Sequence, residues 1–249
     1  MGSEVQVRRV SRRKADRMVR SFERALKRSG GSLVERFGEE TAATMRQEML
    51  GEYRRLIPEI PDIGRWNTLS QALDLAARAL AGFRVILAHG GAVEDAGKVV
   101  HRMARTTFER IPGVARSAIG WYRFSRLRLR MLERAARRSR ERRYAGDWVF
   151  EVVDGDGEPF DFGVDYTECG VVEFLHARGA DELTPWLCDI DYVMAEAMGI
   201  GLRRTKTLAW GCDRCDFRMT KGATTTASWP PLFAERTCGE PAAPGAAPD

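Results

Sequence analysis

Residues 146–166 read GDWVFEVVDGDGEPFDFGVDY, and this stretch decides the fold class. Trp148 to Val153 is rich in β-formers, Asp154-Gly155-Asp156-Gly157 is a turn signal, and Phe160 to Tyr166 alternates as the returning strand of a hairpin. Almost everything before this stretch reads as helix. Met18, Phe22, Ala25 and Leu26 form a stripe closed by Gly30-Gly31. Ser32, with Glu35 in capping-box position, then opens a helix carrying Leu33, Phe37, Met45, Met49, Tyr53 and Leu56. Pro58 and Pro61 interrupt the chain, and further helices are expected over about 68–88, 93–109 and 119–143.

After the hairpin come two helical stretches, about 170–177 and 181–198. Leu202 to Trp210 alternates again, with Cys215 to Thr220 as its hairpin partner. The expected architecture is therefore α+β: a helical N-terminal half of about five helices, then a small antiparallel sheet with two helices. The expected divisions are 1–145 helical, 146–221 α+β, and 222–249 irregular, ending in a disordered Pro/Ala tail.

Composition narrows the function. The formal charge is +5, carried almost wholly by arginine, with lysine only at Lys14, Lys27, Lys98, Lys206 and Lys221. The basic runs Arg8–Arg17 and Arg123–Arg143 lie in helical patterns without aromatics placed to stack bases. They read as solvated helix faces, so nucleic-acid binding is unsupported. The most apolar stretch, Leu73 to Ala88, is broken by Asp74, Arg78 and Arg84, and no membrane span is expected. No apolar secretory region follows the basic N-terminus, which points to the cytoplasm, where thiols stay reduced. Five cysteines, an odd number, agree with that better than a disulfide framework does.

The chemistry gathers in the α+β half, where Cys169, Cys188, Cys212 and Cys215 lie. Cys212-Asp213-Arg214-Cys215 is one close pair; zinc ribbons need two. A thioredoxin-type dithiol opens a helix, whereas this pair lies between expected strands beside two acids that raise thiol pKa values. Asp189 and Asp191 follow Cys188, Asp216 follows Cys215, and Arg203, Arg204 and Lys206 lie between. A cation there suits a substrate carboxylate. Of the three histidines, His176 is nearest the cysteines in sequence and is a candidate general base, although an exposed helix histidine is the simpler reading. No G-x-S-x-G elbow, Walker loop or dinucleotide fingerprint occurs.

Asp165-Tyr166-Thr167-Glu168-Cys169, Gly179-Ala180-Asp181-Glu182-Leu183 leading to Leu187-Cys188-Asp189-Ile190-Asp191, then Leu202 to Gly211 and Cys215-Asp216-Phe217 together resemble the L-2-amino-thiazoline-4-carboxylic acid hydrolase family. The resemblance implies a small bacterial cytoplasmic C–N hydrolase acting on a carboxylate-bearing nitrogen compound. The family's thiols fall on Cys169, Cys188 and Cys215, its acids on Asp189, Asp191 and Asp216, and its arginine on Arg204; Cys212 stands outside the pattern.

Two mechanisms follow. In one, Cys215 attacks as a nucleophile with Asp189, Asp191 or His176 moving the proton. In the other, Cys169, Cys188 and Cys215 hold zinc or an iron–sulfur cluster with an open coordination position. Arg203, Arg204 and Asp216 would contact substrate. The rival from another class is a non-catalytic metal or ligand sensor. The expected partner is a small molecule, with homo-oligomerisation left open.

Overall fold

The helical half begins where the sequence places it. The computed structural model describes residues 10–227, 229–231 and 238. Helices α1 (Arg12–Ser29), α2 (Gly31–Phe37), α3 (Glu39–Leu56), α4 (Ser70–Ala88), α5 (Val93–Glu109), α6 (Gly113–Arg123) and α7 (Arg126–Ser139) precede the first strand. Among the described residues none is long and apolar enough to cross a membrane.

Two expected helices are each split. The second breaks at Gly38, whose φ of +82° lies outside the range of ordinary residues and ends α2 before Glu39 and Glu40 start α3. Ser32 lies inside α2, its hydroxyl donating to Ser29 O at 3.5 Å, and is no cap. The fifth breaks at Phe124-Ser125, where Ser125 Oγ accepts from Arg128 N–H at 3.2 Å and caps α7. A serine among arginines carries little signal of that role.

The chain divides into two compact units. One takes the chain through Thr107 with Tyr144–Asp147 and Gly170–Leu187; the other takes Phe108–Arg143, Trp148–Cys169 and the chain from Cys188 onward. In the first, Met45, Met49 and Tyr53 of α3 are fully buried, and Tyr53 meets Phe22 of α1 edge-on at 5.1 Å between ring centres. The Tyr53 hydroxyl donates to Asp74, which pairs with Arg78 at 2.7 Å, so the polar tip is satisfied inside an apolar core.

The second unit carries the sheet. Strands β1 (Val149–Asp154) and β2 (Phe162–Glu168) form the expected hairpin, with Val152 opposite Val164. After α8 (Gly170–His176), α9 (Thr184–Cys188) and α10 (Ile190–Met198) come β3 (Ile200–Arg203) and β4 (Cys215–Lys221). The sheet is antiparallel throughout in the order β1-β2-β4-β3. Thus β4 lies between β2 and β3, with Tyr166 opposite Cys215 and Leu202 opposite Met219. The strand expected over 202–210 ends at Arg203, and Leu208–Trp210 is a short 3-10 helix. The reason is Asp216, whose carboxylate accepts from Thr205 N–H at 2.8 Å and from Lys206 N–H, taking amides a ladder would need.

The helix expected over 181–198 is also broken. Asp181–Leu183 is 3-10, and α9 and α10 meet at Asp189. Arg204 takes the Cys188 carbonyl at 3.1 Å, and Tyr192 N–H bonds Asp189 O instead. Beyond β4, Thr225 Oγ1 accepts from Leu202 N–H and donates to Ile200 O, both at 2.7 Å, tying that segment to β3. The Pro/Ala tail lies outside the described residues, as do Arg8 and Arg9.

Helices α6 and α10 approach so closely that a Cβ on Gly120 would lie 2.2 Å from Met198 O. On an open helix Gly→Ala stabilises; here it must force backbone apart. Gly120→Ala should destabilise by about 1–3 kcal/mol, as overpacking does. Urea unfolding checks the sign.

Candidate active site

Thr207 is fully buried between two thiols: its Oγ1 lies 3.3 Å from Cys215 Sγ and 4.0 Å from Cys188 Sγ. It caps the Leu208–Trp210 turn, accepting from Ala209 N–H at 3.3 Å, while Leu208 N–H donates to Cys215 Sγ at 3.3 Å. Cys215 therefore starts β4 with one backbone donor and one hydroxyl able to donate facing its sulfur. Such donors stabilise a thiolate once it forms.

Arg204 ties the site together. Its side chain is 1% exposed, lying between the Tyr192 and Phe217 rings at 5.3 and 4.8 Å. It donates to Asp191 Oδ2 at 3.2 Å and to the Cys188 carbonyl at 3.1 Å. Burial works against its charge, but Cys188, Tyr192, Asp191 and Cys215 more than offset this and hold the guanidinium above its ordinary value.

Asp191, Cys188, Cys215 and Tyr166 are each pushed toward their neutral forms. Burial raises Asp191, with Arg204 and Arg123 pulling it back. Burial pushes the Cys188 thiol up to about 12; Arg204 opposes this, while Cys215 and Asp191 add to it. Cys215 is raised as well, by burial against the Thr207 hydrogen bond, Arg204 and Leu208 N–H. Tyr166 is raised by burial, then by Asp191 and Cys169, against Arg123 and Arg128. Alkylation of Cys215 and Cys188 should therefore be slow at neutral pH and accelerate only above the ordinary thiol range, read by mass spectrometry across pH. Fast labelling of Cys215 at pH 7 would contradict this.

The remaining expected site residues are placed as follows. Asp189 is buried at the start of α10. Asp216 is buried and engaged by Thr205 and Lys206. Arg203 is exposed on the edge strand, opposite Arg218, and Lys206 pairs with Asp213 at 3.0 Å. His176 belongs to the helical unit, largely exposed, with Nδ1 2.7 Å from an Asp181 oxygen. Cys212 is joined to Cys238 by a disulfide, leaving Cys169, Cys188 and Cys215 free. That corrects the expectation of five reduced thiols, and it separates Cys212 from Cys215 as a pair.

Among the described residues, no group of three or more His, Cys, Asp or Glu is arranged to hold a metal ion. The expected three-thiol zinc or iron–sulfur centre therefore finds no support in this arrangement. Cys215 Sγ is met instead by Leu208 N–H and the Thr207 hydroxyl, and burial raises both it and Cys188. An apolar cavity of about 10 Å³, lined by Phe22, Leu26, Met49 and Ile86, lies in the helical unit and not at the thiols.

Sequence reasoning missed Thr207, Tyr166 and Arg123. Thr207 sits in an alternating run that reads as strand. Arg123 heads a run that reads as a solvated face, yet it is half-buried with Nη2 3.7 Å from Met194 Sδ.

The family model for L-2-amino-thiazoline-4-carboxylic acid hydrolase matches residues 89–219, more than half of the chain. Comparison with curated proteins and with solved structures gives no match. The matched span contains every residue of the thiol cluster, and the family's name is that of a hydrolase. This chain belongs to the L-2-amino-thiazoline-4-carboxylic acid hydrolase family.

Proposed function

We propose that the protein hydrolyses a C–N bond in a small carboxylate-bearing nitrogen compound of the amino-thiazoline carboxylate type, with Cys215 as nucleophile. The observation that carries this reading is the polar contact at Cys215 Sγ, where Leu208 N–H donates and Thr207 Oγ1 lies in hydrogen-bond reach, each at 3.3 Å. The thiol rests neutral in its buried site and must lose its proton as it attacks. Asp191 is the general base: burial raises its proton affinity above that of an ordinary carboxylate, and Arg204 fixes its orientation.

The steps balance simply. Cys215 Sγ adds to the amidine-type carbon and its proton passes to Asp191. The C–N bond breaks as Asp191 returns that proton to the departing nitrogen. Water then cleaves the new S–C bond and restores the thiol. Cys188, the weaker acid, keeps its proton through the cycle and packs against Thr207.

The test is direct. Purified protein is incubated with 2-aminothiazoline-4-carboxylate, ring opening is followed, and rapidly quenched samples are searched for an adduct on the peptide containing Cys215. Ring opening with that adduct is expected. No turnover of thiazoline, amidine or hydantoin-like compounds would sink the reading.

A further inference from the structure

We propose that Arg123 and Arg128 anchor the carboxylate of the substrate, and that Arg204 is a positioning residue for Cys188 and Asp191. This rests on the hydrolase reading above. From Arg123 to Arg143 the arginines are exposed save at Arg123 and Arg128, which are half-buried. Arg142 pairs with Glu168 at 2.6 Å and Arg143 with Glu141 at 2.5 Å. Among the described residues, Arg123 and Arg128 have no carboxylate within ion-pair distance. The only hydrogen-bond acceptor described for the Arg123 guanidinium is the Met194 thioether, a weak one.

The placement is specific. The close Gly120–Met198 contact sets the end of α6 against α10, so Arg123 reaches Met194, three residues after Asp191 on that helix. Arg123 acts on both Asp191 and Tyr166, Arg128 acts on Tyr166, and the two cations repel each other. Burial and that repulsion both pull Arg123 below its ordinary value. Tyr166 and Asp191 offset this only in part, and Asp191 is already bound to Arg204 at 3.2 Å. Two half-buried guanidinium groups with no carboxylate at ion-pair distance, one of them against the helix that carries Asp191, are what a bound carboxylate would complete, through charge-assisted and bidentate hydrogen bonds. Arg204 already holds Asp191 and the Cys188 carbonyl, which suits a positioning role.

Calorimetry on full-length Cys215→Ser protein, which binds without turnover, compares 2-aminothiazoline-4-carboxylate with its neutral carboxamide. The carboxylate should bind tighter. Arg123→Gln should weaken it roughly 10- to 100-fold, the scale of lost charge-assisted hydrogen bonds, and leave the carboxamide within about twofold. Arg123→Lys should recover part of the loss, Arg128→Gln should act in the same direction, and exposed Arg130→Gln should change neither ligand. With Cys215 intact, Arg123→Gln should raise KM for the carboxylate with little change in kcat for the carboxamide.

The anchor is overturned if the wild-type arginines give the carboxylate no advantage, if neither ligand binds, or if Arg123→Gln weakens both ligands equally. Arg123-dependent carboxylate binding without any ring opening would refute the hydrolase reading and leave the anchor standing. Ring opening with carboxylate affinity unchanged in both variants would do the reverse.

Discussion

Cys215→Ser should lower ring-opening turnover by at least about 10³-fold, the scale on which removing a nucleophile acts, while the protein stays folded. The sulfur sits at the start of β4, 5% exposed, and a serine oxygen there can still accept from Leu208 N–H and meet Thr207. The hydroxyl keeps the local hydrogen bonds and loses the chemistry, because an alkoxide is far harder to form than a thiolate. Steady-state turnover beside a urea melt separates the two effects. Full activity in the serine variant would place the nucleophile elsewhere, and Cys188, held up to about 12, would not be the obvious replacement.

Arg204→Ala should cost about 3–5 kcal/mol of stability, the cost of breaking a buried pair from one side. It strands Asp191 and the Cys188 carbonyl, and it empties the space between the Tyr192 and Phe217 rings. Arg203→Ala, one residue earlier and exposed, should stay within about 0.5 kcal/mol. The loss should also depend on pH, with a definite sign. Asp191 is already held above its unfolded value, so it favours folding while protonated, and that contribution drains away as pH rises through the folded value. Without Arg204 the folded value climbs further, so the variant should be hurt more at pH 8 than at pH 5. Urea unfolding at both pH values reads this; an equal loss at each would mean Arg204 acts through packing alone.

How much of this was legible depends on how local each signal is. The β1–β2 hairpin was readable because Asp154-Gly155-Asp156-Gly157 writes its turn into adjacent residues. The α3 stripe of Met45, Met49 and Tyr53 was readable because helical period is also local. The insertion of β4 between β2 and β3 was not, since pairing Tyr166 with Cys215 joins residues about fifty apart with no periodic mark. The break after Cys188 was hidden for a similar reason: it depends on Arg204, a side chain from another element. Asp216 reads as a site acid, yet its carboxylate holds the Thr205–Lys206 amides. The GCDRC stretch misleads most simply, because Cys212 pairs downstream with Cys238 and Cys215 turns inward alone.

The central position of β4 bears on the order in which the protein folds. Cys188, Asp191, Arg204, Thr207 and Cys215 all fall within 188–216, so the thiol cluster is built from contacts of short sequence separation. The sheet beneath it must close the long excursion from β2 to β4. Loop-closure entropy and contact order make that closure the slow event. The thiol cluster is encoded compactly, but it waits on the most distant strand pairing described in the sheet.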